Sequence, residues 1–296
     1  SSALWPFAAL GWPAFAKATA GKPQKTKDFQ QFYPTDVLST ARDIINLWVT
    51  RMIFSGIEFT GKVPFHTVHI HPTVLTKEGK RMSKSLGTGI DPINLIEKYG
   101  ADATRFGISW QLMGGQDIHF TEDNIVMGKK FCNKIWNASR FVLLQIGNSK
   151  FDPSTNSGSS RAKSRDEIQN SKQIKNSKSP IIKKLNKTIK SINQDINNFQ
   201  FGKAAHTIHN FFWHDFCDVY IELSKSEIRP FDKLRVVPSK VEGRNPKSET
   251  KKILLYVLLT SLKLLHPFMP FITEEIYQKL PIKNKKKCLI IENWPQ

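Results

Sequence analysis

The 296 residues contain only three cysteines, Cys132, Cys217 and Cys288, and no CxxC pair. That spacing excludes a disulfide framework and a zinc ribbon, and it fits a reducing compartment such as the cytoplasm. No apolar run reaches the roughly 20 residues needed to cross a bilayer. The most apolar stretch, "ILLYVLLTSLKLL" from Ile253, is interrupted by Lys263, so no membrane partner is expected. A signal peptide is also missing: "ALWPFAAL" is apolar but has no basic lead-in. Acidic residues are scarce, 25 against 44 Lys and Arg, for a net charge of +19. The excess favours a partner of dense negative charge, nucleic acid first, over a merely basic surface. The chain opens at "SSALWPF" without Met, and is expected to be part of something longer.

What is present divides in two. Residues 1–13 are apolar and Trp-rich, and 14–31 are small, polar and basic, a surface loop. "DVLST" reads as a short buried strand. "DIINLWVTRMIFSG" reads as a helix, with Asp43 as N-cap, Gly56 as its stop, and Ile44, Trp48 and Met52 on one face. "VHIHPTVLT" alternates like a strand. "DPINLIEKYGADATRFGISW" returns to helix, with Asp91 as cap and Pro92 at the first position. From about residue 125 the pattern is helical, ending in a short extended tail, "KKKCLIIENWP". It is broken by 148–179, a flexible linker rich in Ser, Asn and Lys, and by the polar stretch 229–250. Between Gly147 and Lys190 there are 11 Lys and Arg against 3 acids, so much of the net charge sits there. The layout predicts the tail of an α/β domain followed by a helical bundle.

The stretch carrying most chemistry is "TKEGKRMSKSLGTGIDP". It is a strand-to-helix loop with glycines on either side. Such a loop can bring backbone N–H groups close to a phosphate. Arg81 and Lys84 add positive charge, and Ser83 and Ser85 add small donors. A triphosphate whose leaving group gains charge in the transition state needs such groups. The loop is not a Walker A, since GxxxxGK followed by Ser or Thr is absent. On composition alone a solvated basic turn fits equally well. His69 and His71 share one strand face, but two histidines make a poor metal site, and no metal is expected there. His206 and His209 in "HTIH" read as helix surface.

"RMSKS" resembles the KMSKS motif of class I aminoacyl-tRNA synthetases. Around it, "SSALWPFAALGWP", "FYPTDVL", "DIINLWVTRMIFSG", "GKVPFHTVHIH", "IDPINLIEKYGADATRF", "GGQDIHFTEDN" and "NKIWNASRFVL" resemble, in order, the valyl-tRNA synthetases of that class. "FFWHDFCDVYIELSK" and "LKLLHPFMPFITEEIYQKLP" do so further on. The isoleucyl and leucyl enzymes share the architecture, but the pairing of "LGWP" with "DIINLW" is closer to the valyl branch. The resemblance implies an α/β part, 1–85, as the C-terminal half of a Rossmann-like catalytic domain, with 14–31 inserted in it. It implies a connecting, stem-contact region, 86–128, and an all-α anticodon-binding bundle, 129–296.

The activity so implied is ATP-dependent formation of valyl-adenylate, with Mg2+ accompanying ATP, and transfer of valine to the 3′ end of tRNA(Val) by a monomer. By resemblance Lys84, Arg81 and Ser83 are catalytic, and Met82, Ser85, His71 and Asp43 bind ATP. Ile44 and Trp48 line an apolar valine pocket, although their spacing alone suits plain helix core. Asn137, Arg140 and Phe141 contact tRNA, with Arg on phosphate and Phe stacked on a base; ordinary packing of Phe141 is equally open. Three positions depart from the pattern: Arg81 replaces the usual first lysine, Ala41 a glycine and Pro72 a glycine. His-x-Gly-His does not occur in these residues, nor does an editing insertion or a terminal helical hairpin. The chain is therefore expected to be a C-terminal part that would not form adenylate by itself. A non-catalytic tRNA-binding module, or part of an isoleucyl enzyme, are the alternatives.

Overall fold

The computed structural model describes residues 2–11, 26–83, 87–147, 174, 179–228, 246–282 and 284–296. The segments 14–31, 148–179 and 229–250 lie largely outside the described residues. The chain forms two compact units, Ser1–Arg81 with Gly115–His119, and Met82–Gly114 with Phe120–Gln296.

The first unit is a small α/β body. Helix α1 (Trp5–Ala9) and helix α2 (Lys27–Phe32) meet over Phe7, Phe29 and Tyr33, all buried, with the Phe29 and Tyr33 rings stacked at 4.7 Å. Thr26 joins them: its hydroxyl accepts from the Phe29 N–H at 3.1 Å, capping α2, and donates to the Leu10 carbonyl. Strands β1 (Thr35–Thr40) and β2 (Phe65–Ile70) run parallel, Thr35 opposite Phe65 and Thr40 opposite Ile70. The expectation of a buried strand at "DVLST" is not met, since only Thr40 is buried and Val37 is 45% exposed. The described residues give this sheet two strands, whereas parallel sheets bury both faces only under covering helices.

The β1–β2 crossover is not one continuous α-helix. It runs as a 3-10 turn (Arg42–Ile44), a π-turn (Ile45–Val49) and helix α3 (Thr50–Thr60). Asp43 is not its cap; Ala41 holds that position, and the Asp43 carboxylate is taken by Arg81. Gly56 does not stop it either. The helix ends at Gly61, whose φ of +69° closes the last turn in the left-handed region. Gly56 is a close-approach residue: a Cβ there would sit 2.7 Å from the Tyr33 hydroxyl. "VHIHPTVLT" is likewise two strands. Pro72 has no N–H to offer a ladder, so β2 ends at Ile70 and β3 (Val74–Leu75) restarts beyond it, parallel to β4 (Ile118–His119).

The second unit is helical. Helix α4 (Pro92–Tyr99) starts as the sequence predicts, the Asp91 carboxylate accepting from the Ile93 N–H at 2.8 Å. Gly100, at φ +96°, separates it from α5 (Ala101–Trp110). Helix α5 crosses α6 (Glu122–Gln145) at two glycines. A Cβ on Gly128 would lie 2.5 Å from the Ala103 carbonyl oxygen, and one on Gly107 2.7 Å from that of Asn124. Then follow α7 (Pro180–Asn197), α8 (Phe201–Asn210), a π-helix (Phe211–Ile221), α9 (Glu222–Ile228), α10 (Pro246–Leu265) and α11 (Pro270–Lys279). Phe131, Ile182, Leu185, Phe212, Leu258 and Met269 anchor their common core, each fully buried.

The final segment is not simply extended. It makes a 3-10 turn (Leu289–Ile291) and is fastened through Glu292, which accepts from the Tyr277 hydroxyl at 2.6 Å and the Lys263 ammonium at 3.0 Å. Trp294 donates its indole N–H to the Asn193 side chain at 2.6 Å.

Candidate functional site

In the first unit the site residues come from the C-terminal ends of parallel strands, where open α/β sheets bind ligands. β1 ends at Thr40, and the 3-10 turn after it presents Asp43 and Ile44. β2 ends at Ile70, and the His71 N–H extends the ladder by donating to the Thr40 carbonyl at 3.0 Å. β3 leads into a tight turn over "TKEGK". The Thr76 N–H donates to the Lys80 carbonyl at 2.8 Å, and Gly79 supplies the required positive φ of +80°. That turn brings Arg81 back as an antiparallel bridge to Leu75. The Arg81 guanidinium donates to Asp43 Oδ2 at 2.8 Å. The guanidinium beside it holds the Asp43 carboxyl below the usual carboxylate range. Both partners are more than half exposed, so the pair is open to competition from a charged ligand.

Two of the expected ATP-site residues, Arg81 and Asp43, are thus in direct contact. Ile44 is 37% exposed and Trp48 half-buried, one on the 3-10 turn and the other on the π-turn. The π-turn widens the helical repeat, so the i, i+4, i+8 stripe drawn through Ile44, Trp48 and Met52 does not describe their face. The exposed His71 ring has Nδ1 3.0 Å from the Pro72 carbonyl. Asp117 was not foreseen. Its Oδ1 accepts from the Thr73 N–H at 3.0 Å and pairs with Arg42 at 3.4 Å, tying β3 to the turn that carries Asp43. Its signal was the acid in "GGQDIH".

In the second unit Met82 packs against Leu95, Ala103, Phe120 and Ile125 rather than standing open to a nucleotide. The Ser83 N–H donates to the Thr88 hydroxyl at 2.9 Å, and the Thr88 N–H donates back to the Ser83 carbonyl at 3.2 Å. Thr88 therefore closes the neck of the loop, a role its place between two glycines could have signalled. Lys84 and Ser85 lie outside the described residues.

On α6, Asn137 and Arg140 are exposed and Phe141 is half-buried against the bundle core. The i, i+3, i+4 spacing puts them on one face. Phe141 packs, as one of the two readings had it, and its ring also carries the Lys225 ammonium 5.6 Å from its centre. Arg140 has no ion-pair partner among the described residues. Lys134, six residues earlier on the same helix, is committed to Asp218 at 2.7 Å and lies over Trp213.

His206 and His209 are not free helix surface. His206 stacks on Trp110 with ring centres 3.4 Å apart, its Nε2 3.1 Å from the Trp110 carbonyl. His209 lies among Trp110, Phe131 and Trp213. Burial lowers the pKa of both imidazoles. No group of three or more potential metal ligands occurs among the described residues.

Two family models match the chain: "tRNA synthetases class I (I, L, M and V)" over residues 1–121 and "Anticodon-binding domain of tRNA ligase" over residues 179–296. Valine--tRNA ligase of Bacillus thuringiensis is 42% identical over 295 residues, covering 100% of this chain and 29% of that protein. The Bacillus subtilis protein of the same name is 41% identical with the same coverage. The chain thus spans under a third of the length of the curated relatives it matches. Among solved structures, LeuRS of Agrobacterium radiobacter, from a ternary LeuRS–tRNA–LeuAMS complex, superposes with a TM-score of 0.63 at 17% identity, covering 98% of this chain and 32% of that one. Methionyl-tRNA synthetase of Mycobacterium tuberculosis, in complex with methionyl-adenylate, gives 0.61 at 17% identity, over 91% and 47%. At that identity the structural likeness establishes the fold alone.

Proposed function

Because the chain belongs to the class I tRNA synthetases, we propose that it is the section of a valine--tRNA ligase that carries the phosphate loop and the anticodon-binding bundle. The whole enzyme would condense valine with ATP to valyl-adenylate and pyrophosphate, then pass the valyl group to tRNA(Val). The observation that carries this reading is the contact of Arg81 with Asp43 at the strand ends. The assignment to valine rests on the 42% identity along the whole chain.

In this reading the domains divide at 1–85, 86–128 and 129–296. Lys84, Arg81 and Ser83 would act on the triphosphate as catalytic groups, and Met82 and Ser85 would bind ATP. The Met82 backbone takes part, since its side chain is packed away. His71 and Asp43 bind the nucleotide, and Asp43 exchanges Arg81 for the ligand. Ile44 and Trp48 form an apolar wall for valine; such a wall rejects a near-isostere by only about 10²-fold. Mg2+ would arrive on the triphosphate, held through phosphate oxygens and water. Asn137, Arg140 and Phe141 would meet tRNA. The protein would act as a monomer in the cytoplasm.

One observation favours inactivity of the isolated chain. The first unit leaves Leu47 64%, Phe54 70% and Ile57 52% exposed, around a parallel sheet whose Val37, Val68 and Ile70 are open as well. Such faces are normally covered, which fits a catalytic domain completed by other residues of the enzyme.

The test is Lys84→Ala in the full-length enzyme that contains this chain. Valine activation is expected to slow by about 10²-fold or more, with the KM for valine nearly unchanged. Equal losses in kcat and valine affinity would remove the transition-state role.

A further inference from the structure

We infer that Asp102 and Arg105 are positioning residues that fasten the base of the phosphate loop to the anticodon-binding bundle, and that transfer to tRNA depends on them more than activation does. The inference rests on the functional reading above.

Helix α11 begins at Pro270, and its cap position is Met269, whose side chain makes no cap hydrogen bond. Its first free N–H groups have no partner within the helix itself. Asp102 supplies the partner from 169 and 170 residues away: Oδ1 accepts from the Phe271 N–H at 3.2 Å and Oδ2 from the Ile272 N–H at 2.6 Å. The carboxylate also lies in the first turn of its own helix, α5, so two helix N-termini converge on one side chain that is 7% exposed. One turn on, Arg105 donates to the Pro267 carbonyl at 3.0 Å. A single turn of α5 therefore grips both sides of the "HPFMPF" turn, accepting after it and donating before it.

Burying a carboxylate is costly. Desolvation raises the Asp102 pKa, and the two backbone N–H groups oppose that rise; Arg105, His266 and the Cys132 thiol are charged or titratable groups facing it. A cap could be supplied locally by Ser or Asp at residue 269 at lower cost; a distant one also fixes where α5 lies. Ala103, the next residue, belongs to the apolar cluster that seats Met82 and Leu95. The base of the loop, α4, α5 and the α10–α11 turn are thus linked by direct contacts. Transfer to a tRNA held on the bundle requires that link to keep its geometry, since small displacements cost rate steeply.

The experiment uses Asp102→Asn, Asp102→Ala and Arg105→Ala in the full-length enzyme. Arg105 is exposed, so its variant stays folded if the Asp102 variants do not. Amide hydrogen exchange at Phe271 and Ile272 is expected to accelerate in the Asp102 variants, more with Ala than with Asn, which keeps one acceptor. Valine-dependent pyrophosphate exchange should stay within about twofold of wild type, while kcat/KM for tRNA falls about tenfold. Equal loss of exchange and transfer, or unchanged transfer in folded variants, overturns the inference. If wild-type enzyme shows no valine-dependent exchange, the functional reading fails instead. The clamp is then judged on the 296-residue chain: faster amide exchange with weaker tRNA binding supports it, and unchanged tRNA binding overturns it.

Discussion

Replacing Gly128 with Ala sets two effects against each other. Gly128 lies inside α6, where Ala is ordinarily the better helix former by about 1 kcal/mol. The new methyl would stand 2.5 Å from the Ala103 carbonyl oxygen and 3.2 Å from its Cα, all backbone of α5. No side chain can swing aside, so the helices must separate by several tenths of an ångström. Separation loosens Phe106, Phe131 and Ile125, all fully buried near the crossing. Overpacking of this kind costs about 1–3 kcal/mol, and an obstacle made of backbone puts it at the upper end. The net expectation is about 2 kcal/mol of destabilisation, or about 1 M in urea midpoint for a slope of about 2 kcal/mol per molar. Gly107→Ala meets the same crossing from the other helix, 2.7 Å from the Asn124 oxygen. The double variant should therefore cost less than the sum, because once the helices part the second methyl has room. Urea unfolding of the helical unit, followed by circular dichroism, measures all three. A Gly128→Ala chain as stable as wild type, or strictly additive costs, would refute the close crossing.

Stability should also fall between pH 7.5 and 6. Burial holds His206, His209 and His266 below the ordinary imidazole pKa of 6.5, so the unfolded chain takes up protons first. Their contribution is complete above the unfolded value and is lost as pH drops through it toward the folded values; a urea midpoint that holds steady or rises would contradict this. Tyr277→Phe removes the hydroxyl given to Glu292, a charged acceptor in a nearly buried site, and is expected to cost about 1.5–3 kcal/mol by thermal or urea unfolding. A neutral result would mean that the final segment is not held there. Binding of tRNA by the 296-residue chain should weaken steeply with salt, and Arg140→Ala should flatten that slope by about one counterion; an unchanged slope would take Arg140 off the interface.

Features set by neighbouring residues were readable in the sequence. Asp91 and Pro92 start α4 because cap, first turn and donor lie within two residues of each other. Asp43 offered the same local pattern, but Arg81, 38 residues on, claims its carboxylate, and the crossover starts as a 3-10 turn instead. Gly56 and Gly61 look alike as helix stops. What separates them is that Tyr33 and Pro64 crowd the first and nothing crowds the second. The cap of α11 was unreadable for the same reason, since its acceptor is Asp102. His206 and His209 carry helix-surface spacing, yet Trp110, Phe131 and Trp213 close over them from other helices. At the candidate site, chemistry at strand ends was visible as motif residues. The link from Asp117 to Thr73 arises only when stretches 44 residues apart meet, whereas the link from Thr88 to Ser83 is local to the loop.

The central claim is that these residues serve activation of valine. Pyrophosphate exchange by the full-length enzyme that contains this chain, run in parallel with valine and with isoleucine, tests it most directly. Exchange that requires valine, with isoleucine weaker by about 10²-fold or more in kcat/KM, is the predicted result. Exchange that prefers isoleucine, or that is absent with both from a folded enzyme able to bind tRNA, would contradict the account.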